Sequence, residues 1–487
     1  MNARGVAAVI LVMVLTGCAV VNTPLNQALT KGRNTPFDAV DPEASGEVYV
    51  GLAFSGGGMR ASAFAHGVLE ELRALSRSQS DPLGVLSDVR LVTGVSGGSV
   101  TAAHFGLYGP RSLDGYREKY LLTDAERYMA NAPFNPVVLA RGLAGGANGR
   151  QTFGRYLDET LFKGATFGDL AKRSKIKTWI NATDIANKVT FLFSAETFDA
   201  LCSDLSSFPI SDAVAASAAF PLVFSPIVLE SHAGQCDYSE PDWLTAARHN
   251  PEATAAMVAH AEALESYADG REVKYLKLLD GGITDNFGTT GLAVERARAE
   301  HPYAPLDPEQ AVKLKRVLFL VADAATNRDL DWTKKLQGPG GVELALSIAN
   351  SSMGAASRSG YDAMRLQLAD WEGDLVDYRC ALSLAEVRRL RGTLAGWDCR
   401  DVKFFVGQVS FRGVPDEMRD ELDQIPTRLR LAPEQVDMAI EAGRLSTRQN
   451  AQVQGFLRAA GYIETDPLLA KRRAGPAPRR IAPVRRE

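Results

Sequence analysis

Apolar runs separated by polar breaks divide the chain into short strands alternating with amphipathic helices. Val48-Tyr49-Val50-Gly51-Leu52-Ala53-Phe54 is apolar without clean alternation, the pattern of a strand covered on both faces. It leads into Ser55-Gly56-Gly57-Gly58-Met59-Arg60, after which Phe64, Val68, Leu69, Leu72 and Leu75 form a helical stripe. Val89–Thr93 is again β-rich, Gly94-Val95-Ser96-Gly97-Gly98 interrupts it, and Val100–Phe105 favours helix. Further strands are predicted at Lys177–Asp184, Val189–Ser194, Val273–Leu279, Arg316–Asp323 and Val402–Phe411. An Ala- and Glu-rich helical stretch over about 241–270 has the character of an insertion. Residues from about 330 to 391 predict mostly helix, broken at Gly338-Pro339-Gly340-Gly341. This alternation predicts an α/β protein with a mainly parallel central sheet, plus the helical insertion and a C-terminal extension.

The ends of the chain differ from this middle. Arg4 precedes an apolar run from Val6 to Leu15, far shorter than the roughly 20 residues needed to cross a bilayer, so 1–17 reads as a removable signal peptide. Leu15-Thr16-Gly17-Cys18 resembles a bacterial lipobox. That resemblance implies cleavage before Cys18, diacylglycerol on its sulfur, and a lipid-anchored protein of the bacterial cell envelope. Ala19, standing where inner-membrane lipoproteins carry Asp, implies the outer membrane. The alternative is an ordinary signal peptide that happens to contain a cysteine. Residues 18–47 are polar, with Pro24, Pro36 and Pro42, and read as a lipidated tether. The basic tail over 471–487 reads as disordered and solvated, with contact to anionic headgroups as the alternative.

Net charge is −4, which argues against nucleic acid as a partner. Setting Cys18 aside, proximity favours disulfides Cys202–Cys236 and Cys380–Cys399. There is no CxxC pair and the six histidines are scattered, so neither metal nor cofactor is expected.

Candidate chemistry centres on Ser96. A serine between glycines at a strand-to-helix corner is held out of the sheet, as a nucleophile must be, although a glycine-rich turn looks the same in sequence. Gly56, Gly57 and Gly58 lie at another strand end before a helix, where backbone N–H groups can converge on an oxyanion. Arg60 is placed to orient that loop or add positive potential. The spacings of the P-loop and of the dinucleotide fingerprint are both absent, which leaves nucleotide binding the weaker reading. A Ser-His-Asp triad needs a late histidine. The chain offers only His301, in a predicted surface loop. Asp280, closing an apolar strand ahead of Gly281 and Gly282, is the better base, although Asp-Gly also makes plain turns.

Together, Gly56-Gly57-Gly58-Met59-Arg60, Gly94-Val95-Ser96-Gly97-Gly98 and Asp280-Gly281-Gly282 resemble the patatin-like phospholipases. Asn181-Ala182-Thr183-Asp184 and Ala215-Ala216-Ser217-Ala218-Ala219-Phe220-Pro221 add to the likeness, which spans about Val48 to Ala325. The resemblance implies a three-layer α/β/α catalytic domain over 48–325; beyond it, 326–470 reads as a mainly helical extension with a late strand at about 402–411. The resemblance also implies Ser96 as nucleophile, Asp280 as its base and Gly56, Gly57 and Gly58 as the oxyanion hole. Arg60, Gly94, Gly98, Gly281 and Gly282 support them. The implied substrate is a lipid or phospholipid ester. An acyltransferase or small-ester esterase on the same site, or a silent envelope binding module, are the alternatives.

Overall fold

The computed structural model describes residues 21–30, 32–34, 46–76, 82–129, 145–326, 331–334 and 336–464. The signal peptide, Cys18 and the basic tail lie outside these residues. The strands are β1 Val48–Phe54, β2 Leu75–Ser76, β3 Val89–Val95, β4 Lys177–Asp184, β5 Val189–Leu192, β6 Ile227–Glu230, β7 Tyr275–Asp280, β8 Arg316–Asp323, β9 Lys403–Ser410 and β10 Ile463–Glu464. The helices that matter to the site are α1 Gly58–Arg73, α2 Gly97–Tyr108, α3 Ile210–Ser217, α4 Asp242–His249, α5 Ala255–Ala268, α6 Gly341–Ala381, α7 Pro433–Gln449 and α8 Ala451–Ala460. Leu75, expected on the stripe of α1, lies instead in β2, which pairs with β10.

The main sheet runs β6-β7-β4-β3-β1-β8-β9, with β5 on β4. Strands β4, β3, β1, β8 and β9 are parallel. Their side chains alternate between two apolar layers, as the pleat requires. Val50, Leu52 and Phe54 of β1, with Leu318 and Leu320 of β8, face α1, α2, α7 and α8. Tyr49 and Ala53, with Val317, Phe319 and Val321, face Met364, Leu368, Trp371 and Leu375 of α6. The result is the expected three-layer α/β/α patatin-like fold, around a sheet that is mixed.

One expectation changes. The half containing β5, β6 and β7 is antiparallel: β7 runs against β4 with Ala182 opposite Asp280. Asp280 therefore reaches the site from the opposite direction to Ser96, and not as the end of another parallel strand. The extension over 326–470 also completes the sheet, at least through its described part to Glu464. Its β9 pairs with β8 over the whole length of that strand, from Arg316–Lys403 to Asp323–Ser410, covering what would otherwise be a bare edge. Its α7 crosses α1 at glycines: a Cβ on Gly67 would lie 2.0 Å from the Ile440 carbonyl oxygen. Beside that crossing, Arg448 makes a two-pronged ion pair with the buried Glu71.

The segment expected as a tether is, where described, a strap along the outer edge of β6. Asn22 donates to the Ser225 and Pro226 carbonyls, and its own Oδ1 accepts the Arg150 N–H at 2.9 Å. Four residues on, Asn26 accepts the Glu230 N–H at 2.9 Å and donates to the Glu230 carbonyl at 2.7 Å. A side-chain amide carries both a donor and an acceptor, so it can stand in for a neighbouring strand. The strap continues through Leu29, whose N–H meets the Cys202 carbonyl, to the buried Asn34. Cys202 is bonded to Cys236, and Cys380 to Cys399.

Candidate active site

β3 ends at Val95 and α2 begins at Gly97, leaving Ser96 alone at the corner with φ 52° and ψ −125°. This is a sparsely populated conformation for a residue with a side chain, and the surroundings hold it there. The Ser96 N–H donates to Ser217 Oγ at 2.9 Å, and Ser217 Oγ donates in turn to the Asn181 carbonyl at 2.6 Å. Gly97 lies against the glycine loop so closely that a Cβ there would sit 1.9 Å from the Gly58 carbonyl oxygen. Ser62 Oγ of α1 donates to the Gly97 carbonyl at 2.6 Å and locks the two loops together.

Asp280 closes β7 and is buried. Its N–H donates to the Ala219 carbonyl at 3.0 Å, and its carbonyl accepts from Thr183 Oγ1 at 2.8 Å. Loss of hydration raises its carboxyl to about 6, opposed by the Gly282 N–H at 2.9 Å from Oδ1 and by the Ser96 hydroxyl, which faces the carboxylate. A carboxylate with that proton affinity, next to a serine, is poised to take a proton near neutral pH. Gly281 packs against the Asn181 carbonyl, bringing the β7 turn up to β4.

The loop Gly56–Gly58 joins β1 to α1 with one arm already engaged. The Gly56 N–H donates to Asn286 Oδ1 at 3.1 Å. Gly57 and Gly58 make no such bond among the described residues, so of the three N–H groups expected to face an oxyanion, only that of Gly56 is seen engaged. The Met59 N–H is also taken, by the Arg428 carbonyl at 2.8 Å. Arg60 is buried, donating to the Ala324 and Ile425 carbonyls and to Thr427 Oγ1. Burial lowers its guanidinium to about 10, with Asp423 and Asp323 opposing the shift. Arg60 thus fastens the start of α1 to the chain ahead of α7, with its guanidinium engaged away from the serine.

The sequence pattern of the patatin-like phospholipases matches residues 52–293. The chain belongs to that family. Among solved structures, this patatin-like phospholipase is similar to human GIVD cytosolic phospholipase A2 at 13% identity, covering 94% of this chain and 67% of the other, with a TM-score of 0.37. It is also similar to VipD from Legionella pneumophila at 13% identity, covering 90% and 73%, with a TM-score of 0.29. A search of curated proteins found no match.

Within the patatin-like domain, the remaining expectations sort by contact. Asn181 binds Thr93 Oγ1 and the Gly94 carbonyl, pinning β3 to β4. Asp184 accepts from Ala186, Asn187 and Tyr267, with no contact to Ser96 among these bonds. Tyr267 belongs to α5, so the insertion over 241–270 is bolted to the sheet and its Ala261 and Leu264 enter the core, unlike a free lid. His301 is exposed. Among the described residues, no group of three His, Cys, Asp or Glu is arranged to hold a metal ion. Sequence reasoning missed Asn286. Its only signal is an amide six residues after Asp280, flanked by Asp285 and Phe287 in what reads as an ordinary turn.

Proposed function

We propose that the protein is a membrane-anchored serine lipid acyl hydrolase of the phospholipase A or lysophospholipase type. The observation that carries this reading is the Ser96 hydroxyl facing a buried Asp280 whose proton affinity lies near 6, beside a glycine loop with open N–H groups. Ser96 Oγ attacks the ester carbonyl while Asp280 takes its proton. The oxyanion is met by the Gly57 and Gly58 N–H groups at the positive end of α1. The carbon–oxygen bond to the alcohol then breaks, and Asp280 returns the proton to the departing oxygen. Water, deprotonated by Asp280, attacks the acyl-enzyme; the fatty acid leaves and the proton goes back to Ser96.

Attachment to the membrane rests on a lipid at Cys18, since no helix among the described residues is long and apolar enough to cross a bilayer. The lipobox-like sequence supports a location in the cell envelope at the outer membrane. The test pairs fluorophosphonate labelling with release of fatty acid from phospholipid vesicles. Both should vanish in Ser96→Ala. Asp280→Asn should lose hydrolysis while keeping a native circular dichroism spectrum. Undiminished fatty-acid release by purified Ser96→Ala protein would refute the mechanism.

A further inference from the structure

We infer that Asn286 is a positioning residue for the oxyanion loop, and that Ser357 of α6 sets its orientation. The inference rests on the Ser96–Asp280 reading and extends it to a part of the chain outside the matched family region. Asn286 is buried and uses both ends of its amide. Its Oδ1 accepts the Gly56 N–H at 3.1 Å. Its Nδ2 donates to Ser357 Oγ at 2.9 Å, and Ser357 Oγ donates to the Met353 carbonyl one turn back in α6. The hydroxyl proton of Ser357 is thereby committed to Met353, so only its lone pairs face Asn286. Those lone pairs select the amide nitrogen, and the oxygen must turn toward Gly56.

That oxygen sits between the two catalytic loops. A Cβ on Gly56 would lie 2.7 Å from Asn286 Oδ1 and 3.3 Å from Ser96 Cβ. A Cβ on Gly282 would lie 2.7 Å from the same Oδ1 and 3.2 Å from Asp280 Oδ1, so the two oxygens are no more than about 6 Å apart. By holding the Gly56 N–H, Asn286 fixes the plane of the Ser55–Gly56 peptide, where the chain enters the loop that carries Gly57 and Gly58. α6 grips the same region twice more: Ser352 Oγ donates to the Ile283 carbonyl at 2.9 Å, and Met353 Cε lies close to Gly282. The long helix of the extension thus braces the loop carrying the base and, through one amide, the loop carrying the oxyanion donors.

The groups around Asp280 make a charge at Asn286 readable. β4 offers Asn181 and Thr183 and α3 offers Ser217, all uncharged, while Arg60 of α1 spends its guanidinium on the Ala324 and Ile425 carbonyls and Thr427 Oγ1. Asp285 turns its carboxylate onto the N–H groups of Phe287, Gly288 and Thr290. A new carboxylate at 286 would therefore be the like charge acting on Asp280 at close range.

The experiment uses the full chain and a soluble short-chain p-nitrophenyl ester, with active sites counted by fluorophosphonate titration. Asn286→Ala should lower kcat about 30-fold with KM within about twofold of the parent. Asn286→Asp should move the acidic limb of the pH–rate profile up by about one unit, because a second carboxylate opposes ionisation of Asp280. Ser357→Ala should lower kcat about threefold to tenfold, and Ser357→Thr should restore it. Unchanged kcat in both Asn286→Ala and Ser357→Ala, or an acidic limb that stays put in Asn286→Asp, would overturn the inference. If the Asn286 variants fail to fold, the Ser357 pair decides alone. Failure of the underlying reading looks different: Ser96→Ala would then hydrolyse the ester as well as the parent does.

Discussion

The backbone N–H of Ser96 is held by the hydroxyl of Ser217, 2.9 Å away on α3, and is therefore not available to an oxyanion. Ser217 also donates to the Asn181 carbonyl, so one hydroxyl ties the Ser96 corner to the neighbouring strand. Ser217→Ala would leave a buried N–H and a buried carbonyl without partners, a loss of about 1–3 kcal/mol. The expected result is a lower urea midpoint and a kcat reduced about tenfold at nearly constant KM. Equilibrium unfolding and steady-state kinetics on the same preparation check both.

Asp280 gives a pH prediction of definite sign. Its carboxyl titrates near 6 when folded and near 3.8 when unfolded. The stabilising contribution of the protonated carboxyl is complete below pH 3.8 and is lost as pH rises through 6. Above that, the ionised group opposes folding by about 3 kcal/mol, at 1.36 kcal/mol per unit. Asp280→Asn should accordingly be more stable than the parent at pH 8, by up to about that amount, with the gain fading as pH falls from 6 to 3.8. In the parent, kcat/KM should rise with pH about a midpoint near 6 as the base form appears.

Close approach of the two loops predicts a contrast between glycines. Gly97→Ala would drive a methyl into the Gly58 carbonyl and push the oxyanion loop off the serine, so activity should fall more than about 100-fold. Gly373, exposed within α6 with open space around it, has no such neighbour. Gly373→Ala should stabilise the protein by about 0.5–1 kcal/mol and leave hydrolysis unchanged. Thermal denaturation and ester hydrolysis separate the two.

The strap makes its own prediction. Asn26→Ala removes the bonds to both backbone groups of Glu230 and to Ser203 Oγ. Amide hydrogen exchange at Glu230 should quicken markedly, while exchange in β1 and β3 stays slow. Equal exchange at Glu230 in variant and parent would show that the edge is covered by other means.

Much of this architecture was readable in the chain because burial writes itself into apolar runs. β1, β4 and β8 fall on their expected boundaries, since each is covered on both faces and bounded by turn residues. Strand direction left no such trace: Val273–Leu279 reads the same whether β7 runs with β4 or against it. The strap was opaque for a different reason. Asn22 and Asn26 look like solvated polar residues until an unpaired strand edge is there to receive them.

The site divides along the same line. Ser96, Asp280 and the three glycines announce themselves through turn chemistry at strand ends. Asn286 and Ser357 act through orientation, set by residues 71 positions apart that meet only when α6 lies across the loop after β7. Side-chain pairing over such a separation is a property of the packed chain, and a single sequence carries no mark of it.

With the lipid proposed for Cys18, the docking of Asn22 would also set the length of a leash. Three residues separate it from Cys18, and an extended chain covers at most about 14 Å in the four Cα-to-Cα steps between them. With acyl chains on Cys18, the catalytic domain would be confined to a distance of about half the thickness of a bilayer's hydrocarbon core. Its encounters would then be governed by lipids diffusing sideways beneath it. Diluting the enzyme in the surrounding fluid would leave the rate per molecule unchanged, as for any reaction between tethered partners.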